Sequence, residues 1–208
     1  ATVIGWDLPN VDVSDDTSVR DAVSVVLEKH GKIDGLVNCH QYIGPNFFDF
    51  FEEYDNDEWD KVVDVNLKGV YLTCKYVGRE MKKQKSGSIV NVPSTYSVVA
   101  PNQDLYNGME NTIKSPASYA ASKGGVIALS KYLSTYWGKD NVRVNMITPH
   151  GVWNNHEETF VENFSKMSPL GRLSQSHEVP GGLVYLLSDA STYVTGHNLM
   201  VDGGWTTW

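Results

Sequence analysis

The sequence has 208 residues, 41% hydrophobic and 20% charged, with a formal net charge of −8, values that fit one compact domain able to bury a sizeable core. Neither sign of charge gathers into a block, which argues against a nucleic-acid partner, and no stretch approaches the roughly 18 uncharged apolar residues of a membrane span. Cys39 and Cys74 stand in no paired CxxC or zinc-like spacing, so neither a disulfide framework nor a structural metal is expected, and a reducing, cytoplasmic setting fits.

Short β-branched runs alternate with longer helical stretches, the pattern of an α/β protein with a parallel sheet covered by helices. Ala1 to Asp7 reads as a strand and Val11 to Val13 as the start of another, separated by the turn residues Leu8-Pro9-Asn10. Ser14, Asp15 and Asp16 suit a helix start, followed by an apolar stripe of Val19, Val23, Val26 and Leu27 that ends near Gly31. Lys32 to Asn38 is the next strand, Glu58 to about Lys83 a long helix, and Ser86 to Val92 a strand. A polar, Gly/Pro-punctuated segment from Pro101 to Pro116 precedes a helix over Ala117 to Trp137. Asn141 to Ile147 is a strand, Ser176 to Ser188 the final helix, and His197 to Gly204 a short edge strand. No internal repeat or interdomain linker interrupts residues 1–208, so a single domain is expected.

In SPASYAASKGG, Tyr119 and Lys123 are four residues apart, which places them on one face of a helix. A phenol is a poor base at neutral pH, and a nearby ammonium favours the phenolate, so Lys123 is expected to activate Tyr119. Tyr71 and Lys75 repeat the spacing. They sit mid-helix among apolar neighbours, however, whereas Tyr119 follows a strand and loop containing Ser94 and is flanked by small residues.

These motifs together resemble the short-chain dehydrogenase/reductase family. DGLVN resembles the strand before its NNAG motif, DVNLKG contains its Asn position at Asn66, and GSIVNVPS resembles the strand ending in its catalytic Ser, here Ser94. YAASK is similar to its YxxxK, RVNMITPHGV to its RVNxIxPG segment, and VTGHNLMVDGGW to its TGxxxxVDGG ending. The resemblance implies a Rossmann-like, doubly wound parallel sheet and an NAD-dependent oxidoreductase interconverting a secondary alcohol and a ketone. Tyr119 would exchange a proton with the substrate oxygen, Ser94 would hold that oxygen, and Lys123 would also bind the nicotinamide ribose. Asn66, at a local helix irregularity, would hold a water linking Lys123 to solvent.

The resemblance also implies a cofactor set. Asp7 falls where the family has the acidic group for the adenosine ribose, which favours NAD over a 2'-phosphate. Asp12 and Val13 would meet adenine, Asn38 the region near the ribose, and Pro149 and Val152 the nicotinamide side. The family opens with a strand and a Gly-rich turn that cradles the pyrophosphate. This sequence contains neither, so the sheet is expected to be N-terminally incomplete, lacking a central strand within a unit of about 30 residues. Asn38-Cys39-His40-Gln41 departs from NNAG, Pro93 precedes Ser94, and His150 replaces a Gly after Pro149. His40 and His150 are expected to face the cofactor cleft.

Residues 101–116 are expected to roof the substrate cleft, with Tyr106 as a candidate contact, and Trp153, Asn154, Asn155 and His156 fall where the family has a mobile lid. The long insertion and the GGWTTW ending resemble a subgroup acting in surface-sugar or nonulosonate biosynthesis. The family also implies a homodimer or homotetramer, with Trp205 and Trp208 as candidate interface residues that could equally pack back on their own subunit. Two other readings remain: a non-catalytic scaffold or ligand sensor, and a lyase or epimerase using the same Tyr119.

Overall fold

The computed structural model describes residues 1–110 and 113–208. The first helix, α1 (Asp16–His30), is set by its ends. The Asp15 carboxylate accepts from the Ser18 amide at 2.7 Å, and Gly31, at φ 75°, closes the last turn with its amide on the Leu27 carbonyl, a conformation that costs glycine nothing. There follow β1 (Gly35–Asn38), α2 (Asn56–Val63), a π turn (Asp64–Lys68), α3 (Gly69–Gln84) and β2 (Gly87–Asn91). The second half holds α4 (Ala117–Trp137), β3 (Val142–Pro149), α5 (Glu158–Met167), α6 (Pro180–Leu187) and β4 (Asn198–Val201).

The four strands form one parallel sheet in chain order, β1-β2-β3-β4, with Val37 opposite Val90, Val90 opposite Asn145, and Met146 opposite Asn198. Because side chains alternate along each strand, the sheet feeds two cores. Ile89 and Val144 join Val19, Val23, Val77 and Val126 beneath α1, α3 and α4, while Val90 and Ile147 pack with Leu186 of α6 on the other face. This is the Rossmann-like α/β arrangement, with helices on both faces. A third cluster of Leu105, Phe164, Leu173 and Trp205 includes α5 and lies near the ends of the strands.

Four expectations need correction. Residues 1–13 form turns and coil rather than strands. Val3 is 87% exposed, Trp6 alone of residues 1–7 packs on the core, and β1 pairs on one side, with β2. Strand-forming residues hold a strand only where a neighbour takes up their backbone hydrogen bonds, and among the described residues none does so here. The long helix expected from Glu58 is two α-helices joined by the π turn. The lid region continues into α5, and the last helix divides into a 3-10 turn (Ser176–Glu178) and α6, which begins at Pro180, a residue suited to a first helical turn.

Candidate functional site

The carboxyl ends of the strands carry the chemistry. Ser94 leaves β2 and caps the turn Thr95–Ser97, its hydroxyl accepting from the Tyr96 amide at 3.2 Å while the Ser97 hydroxyl accepts from the Ser94 amide at 3.2 Å. The first turns of α4 present Tyr119 and Lys123, and the π turn presents Asn66. Lys123, 3% exposed, donates to the carbonyls of Val92 at 3.1 Å and His40 at 3.3 Å. Its ammonium lies 5.9 Å from the Tyr119 ring centroid, and burial lowers its pKa to about 8.

Tyr119 differs from expectation. Burial pushes its phenol up, the Ser94 hydroxyl opposes that rise, and Tyr106 adds to it. Two carbonyls occupy the Lys123 ammonium, so in this state desolvation outweighs any pull the lysine exerts on the phenol. Asn66 is fully buried, with its amide donating to the Ser122 hydroxyl at 3.3 Å and accepting from the Tyr42 amide at 2.9 Å. The second Tyr/Lys pair is elsewhere: Lys75 binds Asp16 at 2.9 Å, and Tyr71 is an exposed surface ring.

The cofactor candidates separate into two groups. Asp7 is exposed and its carboxylate caps its own turn, accepting from the Leu8 amide at 2.9 Å. The Asp12 carboxylate accepts from the Ser14 amide and hydroxyl at 2.9 and 2.7 Å, and Val13 packs against Gly69 of α3, where an added Cβ would lie 3.0 Å from it. The Asn38 amide is spent internally, donating to Asn91 and accepting from Thr73, both at 2.8 Å. An outward contact by that amide is therefore not available, and its backbone carbonyl already accepts from the Val92 amide at 2.9 Å. On the other side, Pro149 ends β3 and Val152 bridges Ser174, through Ser174 N–H to Gly151 and Trp153 N–H to Ser174. In a parallel bridge of this kind the central residue's own amide and carbonyl point away from the partner, so those of Val152 are not spent on Ser174.

His40 and His150 are both largely enclosed, each with Nε2 buried and unpartnered among the described residues, and burial lowers both to about 4. His40 Nε2 lies 3.0 Å from where a Cβ on Gly69 would be, so the ring packs toward α3. His150 Nδ1 is 2.6 Å from the Thr95 hydroxyl, and its ring lies 4.4 Å from Trp205 and 5.1 Å from Phe164. With Asp202 and Arg172 it lines a cavity of about 80 Å³.

Tyr106 comes within electrostatic reach of Tyr119, whereas Trp153 and Asn154 lie on an exposed turn, the Asn154 amide donating to His156 at 3.2 Å. Sequence reasoning passed over Tyr96, whose phenol meets Tyr106. Its signal was its place two residues beyond Ser94. It also passed over Phe160 of α5, which packs beside Tyr106 with ring centroids 6.0 Å apart.

A parallel sheet with helices on both faces and polar side chains gathered at its carboxyl ends belongs to the Rossmann-like class, in which ligands bind outside those ends. A family model described as enoyl-(acyl carrier protein) reductase matches residues 2–206. D-threitol dehydrogenase of Mycolicibacterium smegmatis is 34% identical over 203 residues, 94% of this chain and 71% of that protein. 3-Oxoacyl-(acyl-carrier-protein) reductase FabG of Chlamydia pneumoniae is 36% identical over 200 residues, covering 94% and 75% of the two chains. The solved short-chain dehydrogenase of Leptospira borgpetersenii with bound NAD+ superposes with a TM-score of 0.86 at 33% identity, over 94% of this chain and 74% of the other. The chain belongs to the short-chain dehydrogenase/reductase family, whose members use a nicotinamide cofactor. Among the described residues no helix is long and apolar enough to cross a membrane.

Proposed function

We propose that residues 1–208 form one catalytic domain of an NAD(H)-dependent oxidoreductase that interconverts a secondary alcohol and a ketone, on a sugar, polyol or nonulosonate-type substrate. The observation that carries this reading is a buried lysine, one helical turn from Tyr119, held by two carbonyls at the carboxyl edge of the sheet. The residues present fit the nicotinamide half of the cofactor. Lys123 has three N–H donors and spends two, so the third can reach a ribose hydroxyl, and the backbone of Val152, not spent on Ser174, suits a carboxamide. Asp7 would select the ribose diol and reject a 2'-phosphate by charge, once its carboxylate leaves its turn.

When bound, nicotinamide supplies or accepts the hydride at the substrate carbon. Tyr119, kept neutral at pH 7 by burial, is set to donate a proton to a ketone oxygen, and Ser94 to hold that oxygen. Lys123, at about 8, can replace the proton, and Asn66 belongs to the route by which Lys123 exchanges it with solvent. Exposed Tyr71, Tyr132 and Tyr136 on α3 and α4, with Val184 and Tyr185 on α6, suit a homodimer or homotetramer, and the cytoplasm is the proposed setting.

The test is cofactor reduction by the full-length protein across sugars and polyols, with NAD+ and NADP+ in parallel. Activity with NAD+ is expected; inactivity on every substrate with both cofactors refutes the reading. One observation favours a second reading, a non-catalytic scaffold or sensor: residues 1–13 hold no strand and Asp7 is engaged in its own turn. Absence of both NAD(H) and NADP(H) binding by the full-length protein in calorimetry would favour that alternative.

A further inference from the structure

Beside the Ser94/Tyr119 pair stands a second pair of hydroxyls that the proposed reaction leaves unused. The phenols of Tyr96 and Tyr106 are 3.4 Å apart, well beyond the roughly 2.7–2.8 Å of a good O–H···O bond. Among the described residues this long contact is the one hydrogen bond either phenol makes. The pair is tied to the reacting group through Ser94, whose hydroxyl accepts from the Tyr96 amide at 3.2 Å, and it is within electrostatic reach of Tyr119: Tyr106 adds to the rise of the Tyr119 phenol, and Tyr119 in turn helps push Tyr96 up, burial being the main cause. Tyr96 therefore remains a neutral phenol, able both to donate and to accept.

The surroundings hold both rings in place. His150 meets Tyr96 edge-on at 5.6 Å and 71°, while its Nδ1 grips the Thr95 hydroxyl at 2.6 Å. On the other side, the Asn163 amide of α5 donates to the carbonyls of Leu105 at 3.1 Å and Asn107 at 2.9 Å, bracketing Tyr106. Gln103 clips the same turn to Ser115 through two hydrogen bonds, at 3.2 and 3.0 Å. A preorganised pair of under-used hydroxyls binds a ligand without having to be ordered first. A ligand hydroxyl suits such a pair, since it can donate to one phenol while accepting from the other.

We infer that Tyr96 and Tyr106 bind the hydroxyl on the carbon next to the reacting one, making the site selective for vicinal diols and α-hydroxy ketones over lone secondary alcohols. This rests on the oxidoreductase reading above. The test compares erythritol with 2-butanol, four-carbon alcohols that differ in the hydroxyls flanking C2 and in one at the far end, in the full-length protein and in Tyr96→Phe and Tyr106→Phe, which keep the rings. The wild type is expected to favour erythritol in kcat/KM, and each variant to lower the erythritol to 2-butanol ratio by about tenfold, chiefly by raising KM for erythritol. Calorimetry of erythritol binding with NAD+ present should weaken in parallel. A wild type that oxidises 2-butanol as well as erythritol, or variants whose ratio is unchanged, overturn the subsite alone. A wild type that oxidises neither alcohol with NAD+ or NADP+ also overturns the subsite, while the oxidoreductase reading falls only if the protein is inactive across the whole panel of sugars and polyols as well.

Discussion

Replacing Lys123 by Met keeps the length of the side chain and removes its charge, and the structure gives the pH dependence that should disappear with it. Burial holds the folded-state pKa at about 8, against 10.5 for the ordinary side chain. Below pH 8 both folded and unfolded chains carry the proton, and the cost of burying the charge is present in full. Between 8 and 10.5 the folded chain sheds its proton first, so the unfolded chain binds more protons and stability rises with pH. At 1.36 kcal/mol per unit, the wild type should gain about 2–3 kcal/mol relative to Lys123→Met between pH 7 and pH 10. Urea unfolding of both proteins at pH 7, 8, 9 and 10 measures this difference, and comparing the two cancels the titrations they share. If the two stabilities move in parallel with pH, the lysine is not desolvated as the structure has it. Activity should be lost in the variant at every pH.

Tyr119→Phe should reduce kcat by about 10²- to 10⁴-fold, the usual contribution of a positioned acid or base, while calorimetry shows nicotinamide cofactor binding retained; a smaller loss would transfer the proton to another group. Asp7→Ser should raise kcat/KM with NADP+ relative to NAD+ by about tenfold or more, as repulsion of a 2'-phosphate is relieved; an unchanged ratio in steady-state assays would remove Asp7 from the cofactor site. Gly78 of α3 has no room for a methyl group, since an added Cβ would lie 2.2 Å from the Trp137 ring of α4. Gly78→Ala should therefore cost about 1–3 kcal/mol in urea unfolding.

Elements that carry their own boundary signals were legible in the sequence. Helix α4 has its expected limits, Ala117 and Trp137, between Pro116 and Gly138, and α1 begins and ends at the expected cap residues. The motif order also located the Ser94, Tyr119, Lys123 and Asn66 group, which the fold brings together. What could not be read depends on partners distant in sequence. The Lys123 ammonium is spent on the carbonyls of His40 and Val92, 83 and 31 residues away, and no spacing rule forecasts that. Residues 1–13 have strand composition but no pairing partner among the described residues, so composition alone misled. Helix α5 mixes acidic and aromatic residues after a polar turn, and its apolar face has meaning only against Leu105 and Trp205. Tyr96 was hidden for the same reason, as a loop tyrosine whose neighbours come from three other segments.

The π turn between α2 and α3 has a bearing on how this chain can change. Such a turn holds one residue more than the α-helical turn it replaces, and one residue amounts to about 100° of rotation about a helix axis. Deleting any one of residues 64–68 could leave a smoother helix, but it would swing α2 round relative to α3. Val62 and Glu58, now buried, would turn away from their present neighbours while Val70, Leu72 and Val77 stayed in place. Substitutions in this stretch lose individual contacts, whereas a change in its length re-aims a whole helix and removes Asn66 from Ser122 and Tyr42. Insertions and deletions in descendants of this sequence should therefore collect in the loops and leave the count of residues from Glu58 to Val77 untouched.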